Sequence, residues 1–104
     1  MEKALKDYII AQRKEAEEYS KQPGCWMGML PCHTETEYWS ERVPSGTLAD
    51  FERQQLEEGA YYMAADAMSK SYARYISPQL SEMTNGELHH FMDEMAKHME
   101  RFSA

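Results

Sequence analysis

Two cysteines and a histidine, in the order Cys25-x6-Cys32-His33, have the most chemistry open to them. Thiolates and imidazoles are the ligands zinc takes in a tetrahedral site, and a Cys-His dipeptide beyond a loop of glycine and proline can supply two or three of them. His89 or His90 would be the fourth. The gap between the cysteines is longer than the two-to-four residues usual in zinc sites. Two free thiols in an apolar loop are therefore expected, with Cys25, Cys32, His33 and His89 as the zinc alternative. No resident cofactor is expected. A nucleophilic cysteine needs a base aimed at its sulfur, and neighbours in sequence tend to diverge, so the base would have to be His89, His90 or His98. The sequence has no strained elbow and no glycine-rich phosphate loop, and the expectation is that the protein is not an enzyme. His90, Glu94 and His98 follow one another at i, i+4, but HHFMDEMAKH has neither the HExxH order of zincins nor the ExxH pairs of di-iron bundles. These histidines are expected on the surface, as pH-sensitive groups.

A second constellation pairs aromatic rings with cations. Trp26, Tyr38, Trp39 and Arg42 fall in one segment, and Lys70, Tyr72 and Arg74 in another, with Tyr75 beside them. Tyr, Trp and Arg dominate the anchors of protein interfaces. The same types can clamp a nucleotide, the ring stacking on the base and the cation meeting phosphate. Tyrosines packed at helix crossings with their hydroxyls at the rim are the plainest reading of such a set; of the functional readings a protein partner is expected, and a small nucleotide is the alternative.

The elements that must position these residues are helical. Methionine (9) and tyrosine (7) are abundant while valine occurs only at Val43, a bias toward unbranched and aromatic apolar residues that favours helix over sheet. The expected fold is all-α: one domain over 1–104, with three helices at about 2–21, 47–76 and 85–102 and a long aromatic, cysteine-bearing loop at 23–46. In the first helix Leu5, Tyr8, Ile9, Gln12, Ala16 and Tyr19 share an arc, and Pro23-Gly24 ends it. The loop is rich in Cys25, Trp26, Met27, Met29, Leu30, Cys32, Tyr38 and Trp39, so it must pack on something. Thr47 is a candidate N-cap of the second helix. The first half of that helix scatters Asp50, Glu52, Arg53, Glu57 and Glu58 around its circumference. From Tyr61 to Ile76 apolar residues cover nearly the whole girth, which suggests a domain centre or a subunit interface, and Ser77-Pro78 is expected to stop it. Thr84-Asn85-Gly86-Glu87 is a capping box for the third helix, whose core stripe is Leu88, Phe91, Met92, Met95, Met99 and Phe102.

Composition narrows the functions. A formal net charge of −7 disfavours binding to nucleic-acid backbone or anionic lipid, because phosphate contacts need a basic patch. The acids are spread along the chain, which also disfavours a mimic of DNA. The amino-terminal stretch is charged from Glu2 onward and has no apolar core, so neither a signal peptide nor a membrane span is expected, and the cytoplasm is the expected location. In size, acidity and helical character the chain loosely resembles small accessory proteins of bacterial viruses, some of which inhibit host factors while others sequester nucleotide signals. The function expected is thus a small non-enzymatic binding or inhibitor protein acting through protein contacts, as a homo-oligomer. Trp26, Tyr38, Trp39 and Arg42 are the expected anchors.

Overall fold

Thr84 and Glu87 close the capping box as the sequence predicts. The Glu87 amide donates to Thr84 Oγ1 at 3.1 Å, and the Thr84 amide donates to Glu87 Oε1 at 3.0 Å. A computed structural model describes the backbone of residues 1–103 and the side chains of residues 1–101. Among the described residues it contains five helices and no strand: α1 (Lys3–Ser20), α2 (Thr36–Arg42), α3 (Leu48–Ala67), α4 (Lys70–Glu82) and α5 (Asn85–Ser103). The all-α class holds, whereas the count of three does not. Phe102, expected on the core stripe of α5, has its side chain outside the described residues.

The chain divides into two compact units, Met1–Phe51 and Glu52–Ala104. In the first unit, Leu5, Ile9, Trp39, Val43 and Phe51 form the core, with Tyr8, Leu30 and Leu48 packed against it. Trp39 and Phe51 meet edge to face at 5.3 Å, and Tyr8 does the same with Phe51 at 5.9 Å. The start of α3 is tied to the chain terminus. Thr47 Oγ1 accepts from the Asp50 amide, Glu2 Oε2 accepts from the Leu48 amide at 3.1 Å, and the Glu2 amide donates to Gly46 O at 2.8 Å. Thr47 is thus the N-cap expected, with the Glu2 carboxylate as a second acceptor that local sequence could not reveal. Gly46 has φ +70°, and a Cβ there would lie 3.2 Å from the Met1 Cα, so the turn needs glycine on both counts.

In the second unit, Ala60, Ala64, Ala73, Ile76, Leu80 and Leu88 are the buried core, and Leu56, Tyr61, Tyr72, Met83, Phe91, Met92 and Met95 pack on it. Here the expected helix 47–76 is broken. Ser69 is extended (φ −168°, ψ 162°), and its hydroxyl accepts from the Tyr72 amide at 3.0 Å as the N-cap of α4. The projection that wrapped Tyr61–Ile76 in apolar residues ran through this break. Each piece is one-sided: α4 buries Ala73, Ile76 and Leu80, while Tyr75 is 72 % exposed. Pro78 does not end α4, which runs on to Glu82. Pro78 is exposed, as is Arg74, the residue one turn earlier whose carbonyl a proline cannot bond.

The α5 cap carries a pH dependence. The Thr84 amide, then the Thr84 hydroxyl, hold the Glu87 carboxyl below the usual carboxylate range. A depressed folded-state value means that the contribution is complete above the unfolded value and is lost as pH falls through the lower, folded one. Amide exchange in the first turn of α5 is therefore expected to accelerate as pH falls through that acidic window, relative to the intrinsic exchange rate. Glu87→Gln should abolish this pH dependence; an unchanged profile in that variant would exclude the cap as its source.

Candidate functional site

The first unit contains the segment that sequence patterning singled out, but not as one long loop. Residues 36–42 fold as α2, with Trp39 and Val43 spaced i, i+4 on its buried side. What stays irregular between α1 and α2 is 21–35, and its backbone is fastened at successive points. Ser20 Oγ accepts from the Met27 amide at 3.0 Å. The Arg13 guanidinium donates to Leu30 O, and Trp39 Nε1 donates to Pro31 O and Cys32 O at 3.3 and 3.0 Å. The Cys25 amide bonds Gln22 O around Gly24, which takes φ +75°. Side chains of two helices thus satisfy the Leu30, Pro31 and Cys32 carbonyls, and while Leu30 packs on the core, Trp26 is 81 % exposed and Met27 and Met29 are exposed.

Trp39, expected as a binding anchor, is 3 % exposed and belongs to the core. Its indole packs among α1 and α3 residues of the first unit while its N–H serves the loop. Tyr38 is exposed and stacks edge-on against Trp39 at 5.0 Å, and Arg42 is half-buried at the end of α2. Lys70 and Arg74 are exposed on α4, whereas Tyr72 is half-buried against the second core. The aromatic-and-cation set is therefore divided, with Trp26, Tyr38, Trp39 and Arg42 in the first unit and Lys70, Tyr72 and Arg74 in the second.

The candidate zinc set is likewise divided, with Cys25, Cys32 and His33 in the first unit and His89 in the second. Among the described residues no three His, Cys, Asp or Glu side chains converge on a point that could hold an ion. Cys25 approaches Gln22 Oε1 at 3.9 Å, Cys32 approaches His33 Nδ1 at 3.8 Å, and His89 is exposed on α5 in the second unit. Cys32 and His33, expected to diverge as sequence neighbours, are in contact. Both line a cavity of about 240 Å³ with Ile10, Arg13, Lys14, Glu17 and Met29. Thr34 Oγ1 donates to Cys32 Sγ at 3.2 Å. Sequence reasoning missed Arg13, Lys14 and Thr34. The one available signal was that Ile10, Arg13, Lys14 and Glu17 follow one another at spacings of three and four, a second stripe of the first helix beside the buried one.

No helix among the described residues is long and apolar enough to cross a membrane. No protein-family model matches the chain, and no curated protein or solved structure is significantly similar to it.

Proposed function

We propose that the protein is a non-enzymatic binding protein that engages another protein through the Trp26–Met29 segment. The observation that supports this reading is an 81 % exposed tryptophan on a segment whose backbone is already hydrogen-bonded in place. Leaving so large an apolar side chain in water forgoes about 2–3 kcal/mol of burial. Tryptophan is among the residue types most enriched at interface hot spots, and a pre-ordered backbone lowers the entropy lost on association. Tyr62, Met68 and Tyr75, exposed in the second unit, favour self-association as a homo-oligomer. Inhibition of a bound host protein, in the manner of small accessory proteins of bacterial viruses, is the finer form of the reading and rests on size, acidity and helical character.

The test compares capture of partner proteins by immobilised wild type, Trp26→Ala and Tyr62→Ala. Trp26→Ala is expected to remain as helical as wild type by circular dichroism and to bind a captured partner at least about tenfold more weakly, the scale of a hot-spot truncation. Equal binding by Trp26→Ala and wild type would remove the Trp26 segment from the interface. Light scattering of the same preparation should exceed the mass of a 12.2 kDa monomer if the chain self-associates.

A further inference from the structure

The cavity beside Cys32 has a composition unlike the rest of the surface. The protein as a whole is acidic, at −7, yet this cavity is lined by Arg13, Lys14 and His33 against a single carboxylate, Glu17, with a sulfur on its wall and the apolar side chains of Ile10 and Met29 completing it. We propose that it is a thiol-modification site that receives small anionic disulfides, of the glutathione disulfide class, and couples them to Cys32.

The geometry supplies what the exchange requires. A thiolate attacks one sulfur of the incoming disulfide; the new S–S bond forms on Cys32 as the old one breaks, and the departing thiolate leaves with the electron pair and takes a proton from water. The reagent is itself the oxidant, so no further redox partner is required. Thr34 stabilises the attacking form through its hydroxyl and then its amide, and Arg13 adds to this through its charge; burial and Glu35 oppose them, and the net effect holds the Cys32 thiol below its ordinary value. The charged and titratable groups that line the cavity with Cys32 are Arg13, Lys14 and Glu17 from α1 and His33 from its own segment, and Arg13 and Glu35 are the charges that act on the thiol, in opposite directions. Carboxylates on the reagent would meet Arg13 and Lys14, and its aliphatic part Ile10 and Met29. Cys25 is absent from the cavity lining and provides an internal comparison. This inference is independent of the Trp26 interface and stands or falls separately.

The experiment measures thiol–disulfide exchange at low ionic strength in Cys25→Ser, which leaves Cys32, and in Cys32→Ser, which leaves Cys25. The probes are dianionic 5,5′-dithiobis(2-nitrobenzoate) and glutathione disulfide against dicationic cystamine, each rate divided by that of a neutral model thiol. Global charge alone would make both cysteines favour cystamine. At Cys32 the anionic probes are instead expected to react about tenfold faster than the cationic one, the scale of steering by a cleft of one charge sign. The preference should shrink in added salt, whose screening length falls to about 3 Å at 1 M. Arg13→Gln also removes the Leu30 contact, so Lys14→Gln, at an exposed position, is the cleaner variant; it should lower the preference without loss of helicity. Intact mass should show one glutathionyl group on Cys25→Ser and none on Cys32→Ser over the same interval. A normalised Cys32 rate that favours cystamine, or a preference for anions equally strong at Cys25, would overturn the proposal.

Discussion

Trp39→Ala is expected to destabilise the Met1–Phe51 unit by about 3–5 kcal/mol, the range for removing a fully buried aromatic. The indole is 3 % exposed, meets Phe51 edge to face, and packs with Leu5, Ile9 and Val43. It also does polar work that no aliphatic replacement performs, since its N–H is shared between Pro31 O and Cys32 O. Trp39→Phe separates the two contributions. It keeps most of the packing but removes the donor; Cys32 O retains the Glu35 amide, so the loss falls mainly on Pro31 O, at a cost of about 1 kcal/mol. Urea unfolding followed by far-ultraviolet circular dichroism in all three proteins would measure the order wild type, then Phe, then Ala. An Ala variant unfolding at the wild-type midpoint would remove Trp39 from the core. The expectation also bears on function. Loss of partner binding in Trp39→Ala would report a collapsed unit, and only the Trp26 variant interrogates the surface.

What the sequence made legible follows from how local each signal is. The α5 capping box is four consecutive residues whose partners are one another, so pattern and structure agree to the bond. The Leu5–Ile9–Ala16 arc of α1 is equally local, and all three are buried. The break at Ser69 is local too, but serine punctuates a helix only when its hydroxyl turns back to the chain; amid Ala, Met and Tyr it reads as one more tolerated residue. Pro78 errs in the opposite direction. Its effect depends on whether the carbonyl it frees meets water or protein, which the sequence does not encode.

Trp39 and Arg53 illustrate what sequence patterning cannot separate. Between prolines and glycines, tryptophan beside tyrosine looks like a presented pair, although TEYWSER contains no breaker and places Trp39 four residues before Val43, the spacing of a buried helical side. Of the residues proposed as anchors, Trp26 alone is both strongly exposed and on the fastened segment. The cavity beside Cys32 is assembled from α1 and residues 29–33, a separation at which no spacing rule operates.

Arg53→Met is expected to cost about 2–3 kcal/mol in the second unit, the worth of one or two charge-assisted hydrogen bonds. On the helical wheel Arg53 is one more of the charges scattered around the first half of its helix. In the fold its guanidinium ends α4 and prepares α5: Nη2 donates to the carbonyls of Leu80 and Ser81, at 3.3 and 3.4 Å, and to that of Met83, while Nη1 donates to Asn85 Oδ1 at 2.7 Å. The carbonyls at a helix end have no partner within the helix, and a cation there also opposes the negative end of the helix dipole. Glu57 holds the group from the other side, accepting from Nε at 3.1 Å one turn along α3. A pair at i, i+4 is worth only about 0.3–0.5 kcal/mol, so Glu57→Gln should cost far less than Arg53→Met, and because the two side chains are in contact the double variant should lose little more than Arg53→Met alone. Arg53→Lys keeps the charge but not the planar fork that spans three carbonyls and an amide, and should recover less than half of the loss. Urea midpoints for these variants and the Arg53→Met/Glu57→Gln double variant decide the matter. If Lys restores full stability, charge alone closes α4; if Glu57→Gln reproduces the whole loss, the ion pair and not the carbonyl cap holds α3 to the α4–α5 turn.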